Sequence, residues 1–183
     1  QSFEDLAKPE YKDLLVMENP ATSSPGLAFM LATRAHFGDG YLDYWKSLKD
    51  NGVVVVDGWE TAYYTNFSAS SGKGPQPMVV SYASSPAAEV FFASPPPAES
   101  PTASIVASGM CFRQIEFVGI LKNGKNRDLA QKFVDFMLSK QFQEDMPLNM
   151  FVYPVNKTAQ FPEVFTKYAQ ITDLPAAMSY DEI

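Results

Sequence analysis

One segment constrains the fold of this chain more than any other: ENPATSSPGLAFMLATRAHFG, from Glu18 to Gly38. A short apolar run, Leu14 to Met17, precedes it and reads as a buried strand. Thr22, Ser23 and Ser24 follow, then Pro25. Beyond Pro25, Leu27, Met30, Leu31 and Ala35 recur at helical spacing. Small hydroxyl residues ahead of a proline mark a capped helix start. The first turn of a helix carries backbone N–H groups without internal partners, and the dipole leaves that end partly positive. Gly26 would let a ligand approach the backbone. Strand, polar turn and open helix start make an anion site possible, although an ordinary N-cap that serves only the fold reads the same way.

The rest of the chain alternates in the same manner. Helical stretches are expected at Phe3 to Lys8, Leu27 to Phe37, Tyr41 to Lys49, Trp59 to Phe67, Pro86 to Phe92, Asn126 to Ser139, Gln141 to Met146 and Pro162 to Ala169. Asn51-Gly52 ends the third of the apolar–helical passages. Strands are expected at Val53 to Val56, a fully buried four-valine run, and at Met78 to Tyr82, Ala103 to Ala107, Ile115 to Leu121 and Phe151 to Val155. In the helix from Asn126, Leu129, Phe133, Phe136 and Met137 share one side, and Phe133, Phe136 and Phe142 read as core. Ser68 to Pro77 is a Gly/Ser/Pro loop, and Ser94 to Pro101 is too rich in proline for a sheet interior. Strands alternating with helices give an α/β fold with a mainly parallel sheet flanked by helices.

In such folds ligands sit beyond the carboxyl ends of the strands. Those ends carry Thr22, Ser23, Ser24 and Gly26; Asp57, Gly58 and Trp59; Ser81, Tyr82, Ser84 and Ser85; and Asn149, Phe151 and Tyr153. ATSSPG and ASSPAA are near copies, so two strand ends share a polar turn, a proline and a helix. Trp59, Tyr63, Tyr64, Phe67, Tyr82 and Phe151 could stack on a flat or cationic ring, at roughly 0.5–2 kcal/mol each when desolvated. Core packing accounts for most aromatics, Trp45 among them; Trp59, on a strand-to-helix turn, is as well placed for binding as for packing.

Charge and cysteine usage remove several function classes. Fourteen basic against 21 acidic residues leave a net charge of −7, which argues against nucleic acid as a partner. A lone Cys111 permits no internal disulfide and no cysteine-based zinc site, and a single histidine, His36, makes a histidine-rich metal site improbable. His36 falls at a helix C-terminus, where a cation is favoured. No apolar run approaches the ~20 residues that span a bilayer, and no signal peptide is visible. A chain opening on Gln1 reads as a processed or trimmed piece, so compartment stays open.

The segments ENPATSSPGLAFMLAT, VVVVDGWETAYY, VVSYASSPAAEV, RDLAQKFVDFMLS with QFQEDMP, and MFVYPVN resemble the thiamine-binding receptors of bacterial ABC importers. These are two-lobed, type II periplasmic binding proteins. The resemblance runs from about Phe3 to Ile183, though RDLAQKFVDFMLS alone is common to many such receptors. It implies an α/β, periplasmic-binding-protein-like lobe over residues 1–114, a segment over 115–156 that crosses to the first lobe, and a return over 157–183 with the closing helix cut short. It implies that Ser23, Ser24 and Gly26 form the phosphate-side turn, and that Trp59 and Tyr82 line the cleft. Phe151 falls where a family member can carry a ring-stacking Trp, and Ala88 where a stacking Tyr can occur; both are departures. The implied function is capture of thiamine or a thiamine phosphate between closing lobes and delivery to a membrane permease, with no bond made, no metal and no cofactor. The implied location is periplasmic, or membrane-anchored outside the cytoplasm.

The nearest rival is another ligand in the same fold: ferric iron, a polyamine or a sugar phosphate. Iron receptors of similar fold use adjacent tyrosines at the strand end that here reads SYASSP and holds Tyr82 only; Tyr63-Tyr64 lies on another element, where neighbouring helix residues point apart. A serine hydrolase using Ser23, Ser24, Ser84 or Ser85 would need a base, and His36 lies ~15–18 Å along the helix that Ser24 opens. A sensor module feeding a signalling partner is a third possibility.

Overall fold

The computed structural model describes residues 2–69 and 73–183, so part of the loop expected at Ser68 to Pro77 lies outside the described residues. The chain divides into two compact units: Gln1–Ala83 with Pro101–Gln114 and Ile171–Ile183, and Ser84–Ser100 with Ile115–Gln170.

In the first unit, β1 (Leu15–Glu18) is the middle strand of a three-stranded sheet. β2 (Val54–Val56) and β3 (Met78–Val79) pair with it in parallel, with Val16 opposite Val54 on one side and Val79 on the other. β1 is buried throughout because it has a strand on each side and α1 (Ser24–Phe37) packed against it. β2 corrects an expectation. It is an edge strand, Val54 and Val56 are half-buried, and Val55 is 51 % exposed. A run of valines states preference for a pleated surface; burial depends on what covers the faces.

α2 (Tyr41–Asp50) follows α1 and closes a small core of Phe3, Ala32, Tyr44, Leu48 and Ala176. Trp45 packs against it and donates its indole N–H to Thr33 Oγ1 at 2.9 Å. Asn51-Gly52 stops α2 as expected: Gly52 has φ 79°, and the Asn51 amide donates to Leu6 O and Lys8 O, both at 2.9 Å. The helix expected from Trp59 is realised mainly as a π-helical segment, Thr61–Asn66. The segment expected as a strand at Ala103 to Ala107 is irregular; this part of the chain is tied instead by Gly109 N–H to Leu174 O at 2.8 Å and Ala176 N–H to Cys111 O at 2.8 Å.

The second unit is helical: α3 (Ser85–Phe92), α4 (Arg127–Met137), α5 (Lys140–Met150) and α6 (Glu163–Tyr168). Its centre is Phe165, ringed by Phe151, Tyr153 and Phe161. Three expectations fail here. Ile115 to Leu121 forms no strand, and Phe117 is 89 % exposed. An apolar run becomes a strand only when a neighbouring strand accepts its hydrogen bonds, and none does among the described residues. Phe151 to Val155 is also irregular: Phe151 caps α5 in the left-handed region, φ 54° and ψ 32°, with its N–H on Pro147 O at 3.2 Å. The apolar side of α4 is real, but Phe133 and Phe136 are 56 % and 46 % exposed rather than core. α5 packs against α4 without covering them.

Candidate functional site

The anion-site candidate is built by the exit from β1. Asn19 organises it: its N–H donates to Val56 O at 2.7 Å, its side-chain oxygen accepts from Ala21 N–H at 3.0 Å, and its carbonyl accepts the N–H groups of Thr22 and Ser23, both at 3.1 Å. The Asn19 amide reaches Asp57 Oδ1, after β2, at 3.5 Å. The chain then enters α1 at Ser24, with Pro25 in the first turn.

Ser23 occupies the N-cap position but its side chain caps nothing. Among the described residues the N–H groups of Ser24 and Gly26 make no hydrogen bond, whereas Leu27 N–H closes onto Ser23 O at 2.9 Å. The turn thus leaves the Ser24 and Gly26 N–H donors open, where the sequence pattern anticipated a self-capped helix. The Ser24 carbonyl accepts from the Gln114 amide at 3.0 Å, which fixes the turn from a distant part of the sequence. Gly26 is required by packing: a Cβ there would lie 2.4 Å from Glu18 O and 3.2 Å from Glu18 Cβ. The helix start therefore rests directly on the end of the central strand.

Trp59 and Tyr82 follow the two edge strands, so they leave the sheet on either side of β1. Paired strands lie about 4.8 Å apart, which separates the two exits by about 10 Å. The side chains bridge that gap: Trp59 Nε1 donates to Ser81 Oγ at 2.8 Å, and the Trp59 and Tyr82 rings are 6.0 Å apart and tilted by 51°. Trp59 also stacks on Tyr63 at 4.8 Å and meets Tyr64 edge-on at 5.4 Å. Trp59 is half-buried and Tyr82 is 42 % exposed. Tyr63 is buried and Tyr64 exposed, so the adjacent pair does diverge in environment. Ser23, Ser24, Gly26, Trp59 and Tyr82 all follow carboxyl ends of one parallel sheet in the first unit. Phe151 belongs to the second unit, half-buried among Phe91, Phe92 and Phe165.

Two residues of this site were not among those singled out from the sequence. Gln114 carries no local signal. Glu18 does carry one, as a carboxylate directly after three apolar strand residues. It is fully buried, neither carboxyl oxygen has a partner among the described residues, and burial pushes its carboxyl up to about 7.

His36 lies in the last turn of α1, opposite the serines, and its Nε2 pairs with Glu4 Oε1 at 2.9 Å, a bond that holds the Glu4 carboxyl down at about 2. Among the described residues no group of three or more His, Cys, Asp or Glu could hold a metal ion. No described helix is long and apolar enough to cross a membrane. A surface recess elsewhere in the first unit, lined by Phe67, Pro77 and Thr102 among others, takes in Phe67 of the candidate aromatics but none of Ser23, Ser24, Gly26, Trp59 and Tyr82.

The family model for bacterial extracellular solute-binding proteins matches residues 1–174. The chain belongs to that family. Within it, the chain is 30% identical over 162 residues to the thiamine-binding periplasmic protein of Salmonella typhimurium, covering 87% of this chain and 46% of that protein. The protein of the same name from Escherichia coli is 30% identical over 158 residues, covering 85% and 45%. The one from Brucella suis is 29% identical over 160 residues, covering 87% and 45%. A solved structure titled periplasmic thiamin binding protein superposes with a TM-score of 0.74 at 25% identity, covering all of this chain and 54% of that one. The α/β, periplasmic-binding-protein-like architecture is thereby shown. The chain spans about half the length of the solute-binding relatives it matches.

Proposed function

We propose that this chain contributes the phosphate-side wall of a receptor that binds thiamine or a thiamine phosphate and delivers it to the permease of an ABC importer. The observation that carries the reading is the open helix start at Ser24 and Gly26 in the same sheet as the Trp59–Tyr82 pair. A thiamine-type ligand has a hydroxyl or phosphate tail, which suits unpaired N–H groups at a helix start. It also has a cationic ring, which suits aromatic faces. Ser23, Ser24 and Gly26 hold the tail, and Trp59 and Tyr82 face the rings. Phe151 serves in ring stacking, in keeping with its aromatic surroundings. The relatives named thiamine-binding periplasmic proteins support both the ligand and a periplasmic, or membrane-anchored extracytoplasmic, location.

The receptor is not an enzyme in this reading; the engagement of His36 with Glu4 speaks against a serine hydrolase. Residues 1–114 form the second lobe, 115–156 cross to the first, and 157–183 return. Exposure of Phe117, Leu121, Phe133 and Phe136 supports a crossing segment whose apolar side is covered by the other half of the receptor. Ferric iron, a polyamine or a sugar phosphate is the alternative ligand.

Calorimetry on the natural-length protein with thiamine, its monophosphate and its diphosphate tests the proposal. Saturable binding of at least one is expected; no heat and no competition with any of them overturns the ligand assignment. Titration with ferric iron, a polyamine and a sugar phosphate on the same sample covers the alternative.

A further inference from the structure

Among the described residues, Glu18 is the one fully buried carboxyl, and the proposed binding scheme leaves it unused. It ends the central strand, has no exposed surface, and offers two oxygens without a hydrogen bond or ion pair among the described residues. Its backbone and Cβ lie directly under Gly26, in the first turn of α1, where the N–H groups of Ser24 and Gly26 are open. The elements packed on β1 bring no compensating charge to it. β2 and β3 hold only Val and Met. The π-helical segment Thr61–Asn66 has Tyr63 and Tyr64 as its titratable groups, with Glu60 just before it. α1 has only Arg34 and His36, both in its last turn. Asp57, beyond β2, is occupied with Asn19. Buried charge without a partner is expensive, so this carboxyl holds its proton to about pH 7.

Resting on the thiamine-phosphate reading, we propose that Glu18 sets the receptor's preference between uncharged and anionic ligand tails by taking up a solvent proton when an anion occupies the start of α1. A protonated Glu18 leaves the helix start wholly positive toward a phosphate. An ionised Glu18 opposes the phosphate from below and leaves an alcohol tail unaffected. At an effective dielectric constant near 20, two unit charges about 7 Å apart would oppose each other by about fifty-fold in affinity. The receptor thus prefers a phosphate ester in mildly acidic surroundings and loses that preference as the pH rises.

The test is calorimetry on the natural-length protein between pH 6 and 8.5, with thiamine and thiamine monophosphate, for the wild type and Glu18→Gln. The phosphate itself titrates near pH 6, so the variant supplies the reference. In the wild type the affinity ratio of monophosphate to thiamine is expected to fall about ten-fold or more across this range relative to the ratio in Glu18→Gln, which follows the phosphate's own titration alone. Identical profiles for the two proteins overturn the proposal. A second measurement follows the Glu18 carboxyl carbon by NMR in the wild type, with and without inorganic phosphate. An upward shift of its titration on adding phosphate supports the proposal even if no thiamine compound binds, a result that would sink the ligand assignment alone. An unmoved titration at saturating phosphate overturns the proposal whether or not thiamine binds.

Discussion

The chain contains the same turn twice, and the two copies are used in opposite ways. Ser23-Ser24-Pro25-Gly26 opens α1 and Ser84-Ser85-Pro86-Ala87 opens α3, each with serine at the N-cap and proline in the first turn. In the second copy Ser84 is buried and its hydroxyl donates to Phe151 O at 2.6 Å. That hydroxyl is spent on joining α3 to the end of α5. In the first copy neither serine hydroxyl is bonded among the described residues, and the neighbouring N–H groups are open. The fourth position differs for a related reason. Ala87 is buried with room for its methyl, whereas Gly26 sits on the Glu18 backbone. A helix start that must hold itself together consumes its polar groups internally; one that meets a ligand keeps them available. Local sequence is nearly blind to the difference.

Substitution at the fourth position gives the largest contrast. Gly26→Ala forces a methyl to within 2.4 Å of a backbone oxygen, so α1 must shift off β1. A loss of about 2–3 kcal/mol in denaturant unfolding is expected, as for overpacking elsewhere. The mirror change, Ala87→Gly, is expected to cost about 1 kcal/mol. Equal costs would erase the distinction between the turns.

Acidity separates the copies next, because the first rests on the backbone of Glu18, whose side chain is buried. The folded state holds the Glu18 proton up to about pH 7, whereas an unfolded glutamate releases it near 4.5. Folded protein therefore binds more protons across that interval, and stability declines as pH rises from 4.5 to 7, then levels off with respect to this group. The expected loss is about 3 kcal/mol, and Glu18→Gln removes this contribution to the slope in denaturant melts at successive pH values. A slope unchanged by that substitution would mean Glu18 is ionised and accommodated.

The serines themselves give a smaller contrast. Ser84→Ala strands the Phe151 carbonyl and is expected to cost about 1–2 kcal/mol. Ser23→Ala removes a hydroxyl that caps nothing and is expected to stay within about 0.5 kcal/mol of wild type, below the usual cost of an N-cap deletion. Its effect belongs in calorimetry, as weaker binding of the phosphate ester. Trp59→Ala, finally, is expected to weaken ligand affinity about ten-fold through lost cation–π contact. Unchanged affinity would confine Trp59 to its packing with Tyr63 and its bond to Ser81.

Much of this was legible in one dimension. The strand before the first turn, the Pro-led helices and the Asn51-Gly52 stop lie where expected, because each is governed by neighbours within a few residues. Burial was less legible. Val55 of β2 and Phe133 and Phe136 of α4 belong to apolar runs or faces, yet about half of each is open, since a pattern names a face and says nothing of what covers it. The strand expected at Ile115 to Leu121 finds no accepting neighbour among the described residues, and the one at Phe151 to Val155 gives way to a left-handed cap on α5 at Phe151. The site residues Gln114 and Glu18 stand apart for the same reason: Gln114 reaches Ser24 across 90 residues, and the isolation of Glu18 is a property of everything packed around it.

By itself, then, the sequence determined the alternation of strand, turn and helix, the parallel sheet and the family likeness, all of which follow from short-range spacing and residue type. Only the tertiary structure decided which of two nearly identical turns stays open, that Trp59 and Tyr82 meet from opposite edges of the sheet, and that Glu18, whose backbone lies beneath Gly26, is fully buried. Hydrogen-bond satisfaction and desolvation depend on neighbours far away along the chain, and those neighbours exist only once it has folded.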